Sequence, residues 1–144
     1  MPTTRKYRKW VCKHCGFFGV EGDFAFYGGK GTGRRRVCKP CRLTYQREQT
    51  RKRRHACLVH YSHPIPACAC CGEKETRFLT LDHVNGNGAN HRRVIGRQPL
   101  ERWLKSNGYP SGYQVLCWNC NVAKGQGETC PHQFASVGKS SGRG

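Results

Sequence analysis

A chain of 144 residues with 36% hydrophobic residues and 18 glycines cannot build a large apolar core, so it reads as one modest domain or two very small ones. Twenty-six lysines and arginines against eight acidic residues give a formal charge of +18. Solubility needs only roughly 2–8 charges in a small domain, so the excess points to a polyanionic partner, nucleic acid above all. A membrane span and an exported disulfide scaffold are disfavoured. The basic residues 1–9 are followed by no apolar run, and no stretch approaches the roughly 18 apolar residues of a span. Without export, the eleven cysteines, most of them in Cys-x-x-Cys pairs, indicate zinc.

Cys12 and Cys15, followed by Gly16, have the form of a zinc knuckle. In such a knuckle backbone N–H groups turn toward the thiolates and glycine accepts the sharp turn. Cys38 and Cys41 follow after 22 intervening residues and complete a four-thiolate signature, which outranks His14 as a ligand. Phe17, Phe18, Val20, Phe24, Phe26 and Tyr27 between the pairs are expected to form a small aromatic core around the metal. Residues 28–33 (GGKGTG) read as a hairpin tip, because P-loop spacing is absent. Arg34, Arg35 and Arg36 on the rim are expected to contact phosphates.

Residues 41–60 lack glycine and proline and are rich in helix formers, which predicts a helix. Its middle is polar all round, and Arg47, Arg51, Lys52, Arg53 and Arg54 make it a basic rod suited to track a nucleic-acid backbone. Cys57 and His60 near its end lack further ligands and are expected to pack. Pro64 and Pro66 end the helix and mark a module boundary. Cys68 and Cys71, followed by Gly72, open a second knuckle, with Cys70 expected to point away. Residues 78–81 predict a short buried strand terminated by Asp82 and His83, and the Asn/Gly-rich residues 84–93 predict a loop. Residues 99–107 predict a helix stopped by Gly108, and residues 113–117 a second strand. Cys117 and Cys120 then close the knuckle, and a final helix begins at Asn121. Cys130 and His132 are expected to pack back on the domain, and residues 135–144, rich in Ser and Gly, to form a disordered tail. The divisions are a zinc module at 1–43, a basic linker helix at 44–63 and a second zinc-stabilised module at 64–134.

If Cys68, Cys71, Cys117 and Cys120 share one zinc ion, Asp82, His83 and Asn121 are carried into one small space. Histidine is suited to deprotonate water near neutral pH. A carboxylate with an amide oxygen is a plausible protein share of a magnesium site. Adjacent strand residues point to opposite faces, so Asp82 and His83 must splay around that site.

This pattern of Cys68-x-x-Cys71, Asp82–His83 and Cys117-x-x-Cys120–Asn121 resembles the HNH endonucleases of ββα-metal fold, most of all phage HNH enzymes and the junction-resolving endonuclease VII group. The likeness covers residues 67–132. It implies a small α+β, treble-clef-like nuclease module behind the N-terminal four-cysteine module. It also implies His83 as general base, Asp82 and Asn121 as holders of a catalytic Mg2+ or Mn2+, and two structural Zn2+ sites. DNA is the expected substrate, cut to a 3′-hydroxyl and a 5′-phosphate, with no membrane and no small-molecule substrate involved. His91, Arg92 and Arg93 are placed to meet the phosphate. Asn121 stands where many members have His, although the endonuclease VII group also has Asn, and Gln114 is the nearest match to the middle Asn of the motif. The resemblance further implies an intracellular, phage-encoded protein of homing type, nicking or cutting, with a homodimer or two sequential nicks needed to sever a duplex. Two other readings stay open: a non-catalytic zinc-finger protein on the same basic surface, and a branched-DNA resolvase.

Overall fold

The computed structural model describes residues 8–25, 36–127 and 130–132, in two compact units, residues 1–51 and 52–144. Arg34, Arg35, Phe26, Tyr27, the glycine-rich tip and the C-terminal tail lie outside the described residues.

In the first unit, β1 (Lys9–Val11) pairs antiparallel with β2 (Phe18–Val20), Trp10 standing opposite Gly19. The knuckle between them is closed by Cys12 N–H to the Phe17 carbonyl, 2.8 Å, and Gly16 N–H to the Cys12 carbonyl, 3.0 Å. Gly16 sits at φ +72°, where a side chain would be strained. A single 3-10 turn, Glu21–Asp23, leads to Phe24, which bridges to Cys38. The core is narrower than expected. Phe24 is wholly buried with Cys12 and Cys38, and Trp10 meets its ring edge-on at 5.4 Å. Phe17 is 46% exposed, and Phe18 and Val20 stay 60% and 40% exposed because no second layer among the described residues covers that face of the two-stranded ribbon.

Helix α1 (Lys39–Ser62) starts between Cys38 and Cys41, earlier than the sequence suggests, and carries the boundary between the units at Arg51. Only Cys57 and Leu58 are buried on it. The Cys57 thiol reaches the Glu101 carbonyl, so Cys57 packs as expected, and burial pushes its pKa up to about 11.

The second unit is built on β3 (Leu79–His83) and β4 (Tyr113–Cys117), antiparallel neighbours followed directly by α4 (Trp118–Gly125). The register sets Leu79 opposite Cys117, Asp82 opposite Gln114 and His83 opposite Tyr113. Asp82 and His83 therefore lie within the strand, because pairing with β4 continues through both. Between the strands stand α2 (Gly88–Ile95) and α3 (Leu100–Ser106). The sequence pointed to a loop at residues 84–93. Turn chemistry ends at Gly88, and His91 N–H to the Asn87 carbonyl starts a helical ladder that Gly96 stops at φ +61°. The core gathers Leu58, Leu79, Val115 and Leu116 around Cys68, Cys117, Cys120 and Cys130. No helix among the described residues is long and apolar enough to cross a membrane.

Candidate metal clusters and active site

Sulfur chemistry organises both units. In the first, the thiols of Cys12, Cys15, Cys38 and Cys41 lie within 4.8 Å of one another, with Cys15 and Cys38 Sγ 3.7 Å apart. That is close to the edge of about 3.8 Å that a tetrahedron has at a Zn–S distance of about 2.3 Å. The Cys38 N–H donates to Cys12 Sγ at 3.4 Å. This bond, with those from Cys15 and His14, holds the Cys12 thiol at about 6, in the thiolate form zinc requires. His14 is exposed and outside the set. In the second unit Cys68, Cys71, Cys117 and Cys120 converge equally, Cys71 and Cys117 Sγ again 3.7 Å apart. Burial opposes ionisation of Cys68, but N–H groups of Cys71, Cys117 and Cys70 outweigh it and bring the thiol to about 7. Donor chemistry and spacing in both sets fit a structural zinc ion.

A third set was not expected. Cys70 does not point away, and Cys130 and His132 do more than pack: their ligand atoms and that of Cys120 lie within 4.8 Å of one another. Cys120 thus belongs to two sets. The weak signal was a Cys-x-His near the end of the chain with no neighbour in sequence to complete it.

The other end of β3 carries the polar site. On the face covered by α4, Asp82 Oδ2 accepts from Gln114 Nε2 at 2.8 Å and pairs with the Lys124 ammonium at 2.5 Å. Lys124 Nζ also donates to the His83 carbonyl. One turn earlier on α4, Asn121 Nδ2 donates to Thr80 Oγ1 at 3.2 Å, and that hydroxyl donates to the Leu116 carbonyl at 3.0 Å. Both of Asp82's hydrogen bonds fall on one oxygen. Oδ1 of Asp82 and the amide oxygen of Asn121 have no partner among the described residues.

No family model, no curated protein and no solved structure matches this chain.

His83 lies on the opposite face of β3 from Asp82, as strand alternation demands. Its Nε2 is 2.9 Å from His91 Nδ1, which is also 3.3 Å from the Tyr113 hydroxyl. The Trp103 ring stands edge-on to His91 at 4.3 Å, and His91 Nε2 is buried without a hydrogen-bond partner. The Tyr113 ring supports His83 at 4.7 Å. On its other side His83 Nδ1 faces Gly88, where a Cβ would come within 3.1 Å. Burial holds the His83 ring below the ordinary histidine range, and His91 adds to the shift, so the ring is neutral at neutral pH.

Asp82, His83, His91 and Asn121 are thus gathered around the end of β3 and the start of α4. Lys124, Gln114 and Tyr113 join them; a lysine one turn after Asn121 carried no motif by which to find it. The arginines divide. Arg36, Arg47, Arg92 and Arg93 are exposed, Arg93 donating to Asn90. Arg51 forms an ion pair with Glu48 at 2.9 Å. Arg54 reaches into the fold and donates to the Leu79 carbonyl, which makes it a tie between α1 and β3.

Proposed function

We propose that the second unit is a divalent-metal-dependent endonuclease of the HNH, ββα-metal kind that hydrolyses DNA phosphodiester bonds. The observation that carries this reading is the pairing, at the end of one strand, of a neutral, ring-held His83 with a carboxylate and an amide supplied by β3 and α4. Among the described residues β3 pairs only with β4, so its outer edge has no strand partner there. A phosphodiester set across that edge would meet Asp82 on one face and His83 on the other.

His91 fixes Nε2 of His83, so Nδ1 is the atom that takes the proton from water. The hydroxide attacks phosphorus, the bond to the 3′-oxygen breaks, and the products are a 5′-phosphate and a 3′-hydroxyl protonated from solvent. The free oxygens of Asp82 and Asn121 are the groups that would hold Mg2+ or Mn2+, which supplies charge stabilisation on the phosphate and the leaving oxygen. Lys124 occupies Oδ2 of Asp82 and would compete with such an ion for the carboxylate's charge. The formal charge of +18 draws the polyanion, and exposed Arg36, Arg47, Arg92 and Arg93 are its phosphate contacts.

Incubation with supercoiled plasmid and Mg2+ or Mn2+ tests the reading, with EDTA and His83→Ala as controls. Metal-dependent nicking or linearisation that falls at least about 100-fold in His83→Ala is expected. Binding without cleavage under every divalent ion would make the chain a zinc-dependent DNA-binding module instead. Comparison of a four-way junction with linear duplex of equal length tells a resolvase from a duplex cutter.

A further inference from the structure

The third thiol cluster and the knuckle beside it share one ligand, and neither set is complete without it. Cys68, Cys71 and Cys117 make three donors, and Cys70, Cys130 and His132 make three more. Each trio reaches four, the number a closed structural zinc site takes, only by including Cys120. We propose that Cys120 bridges two zinc ions, so that these seven side chains form one dinuclear cluster with eight coordination positions filled.

The distances are close to those of a metal site and far from that of a disulfide. Cys120 Sγ is 3.5 Å from Cys130 Sγ and 3.3 Å from His132 Nδ1, and Cys130 Sγ is 3.4 Å from that nitrogen. Tetrahedral edges for Zn–S of about 2.3 Å and Zn–N of about 2.0 Å are about 3.5–3.8 Å. A disulfide would need about 2.05 Å between sulfurs, and all eleven cysteines are free thiols. Cys68, Cys117, Cys120 and Cys130 are all buried, so without metal four thiols would be confined together in the core. Two dications against six thiolates leave a net charge of −2 at the cluster, which a chain of formal charge +18 accommodates readily.

The bridge has a structural consequence. Cys120 is in the first turn of α4, the helix that carries Asn121 and Lys124 to β3. The first ion ties that turn to the knuckle at Cys68 and Cys71. The second ties it to Cys70 on one side and to Cys130 and His132 beyond the helix on the other. The cluster does not depend on whether the chain cuts DNA.

The test is metal counting on the full, tag-free chain purified under reductant from zinc-supplemented cells. Native mass spectrometry and elemental analysis are expected to give three zinc ions per chain, one in the first unit and two in the second. The Cys70→Ser/His132→Ala double variant should fall to two. After exchange with 113Cd, three resonances are expected, two of them split by scalar coupling through the shared sulfur. Two zinc ions in the wild-type chain would overturn the second site. Three 113Cd signals with no mutual coupling would overturn the bridge. Should the double variant fail to fold, the wild-type count and coupling decide the matter without it.

Discussion

Gly88 offers a substitution that separates activity from stability. It opens α2 with the space of its missing side chain turned toward His83. In Gly88→Ala the new Cβ would lie 3.1 Å from Nδ1, 3.5 Å from Cε1 and 3.8 Å from Cγ of the imidazole. The first contact is a few tenths of an ångström inside ordinary van der Waals distance, so the ring must move by about that much. It has little freedom to do so, with Tyr113 at 4.7 Å and Nε2 bonded to His91. Alanine is favoured over glycine by up to about 1 kcal/mol within a helix, and Gly88 has no positive φ to forbid it. Stability should therefore change by less than about 1 kcal/mol in either direction. A misplacement of about 1 Å at a reacting group can cost about 100-fold. On the proposed mechanism, a shift of a few tenths, together with a methyl group beside Nδ1, should cost about 10-fold in plasmid nicking. Initial nicking rates at saturating Mg2+ and urea unfolding of the same preparations measure the two effects. Cleavage within twofold of wild type would refute Nδ1 as the proton acceptor. A loss of rate matched by a loss of several kcal/mol in stability would show that the substitution acts through folding.

Two further substitutions test separate parts of the site, and a third tests the core. His91→Phe keeps a ring under Trp103 but removes the nitrogen that holds His83. It should lower kcat about 10-fold and move the acid limb of the pH–rate profile upward, since His91 no longer opposes the charged form of His83; an unmoved limb would remove His91 from the site. Lys124→Met takes away the cation on Asp82 and should lower the Mg2+ concentration giving half-maximal cleavage, while costing about 1–3 kcal/mol for the carboxylate left without its charged partner. An unchanged metal requirement would mean that lysine and ion do not share Asp82. Leu79→Ala empties a wholly buried position opposite Cys117 and should cost about 2–5 kcal/mol in denaturant unfolding; a loss under 1 kcal/mol would place the centre of the core elsewhere.

Local chemistry was legible in the residues. Cys-x-x-Cys-Gly dictates a knuckle through hydrogen bonds spanning five residues, so Cys12, Cys15, Cys68 and Cys71 could be assigned before any fold was known. Their mates at Cys38, Cys41, Cys117 and Cys120 follow from spacing, because zinc accepts a closed set of four. Tyr113–Cys117 and Leu100–Ser106 could be read from apolar patterning and a Pro/Gly frame. The helix at Gly88–Ile95 was hidden because its leading Asn and Gly residues carry turn chemistry, whereas the residues after them carry helix propensity.

The tertiary structure alone decided what lies beside what. Nothing local to Lys124 says that its ammonium will meet Asp82, 42 residues away in sequence; that contact exists because α4 follows β4 directly and lies along β3. The same is true of Cys70, Cys130 and His132, which acquire a common neighbour only when the sheet and α4 bring Cys120 among them. His83 and His91 likewise meet through the packing of α2. Side-chain identity determined which chemistry was available, since thiolates, imidazoles and a carboxylate have fixed preferences for metals and protons. Long-range register and helix packing determined which of them are joined, because a contact between distant residues is set by the whole path of the chain between them.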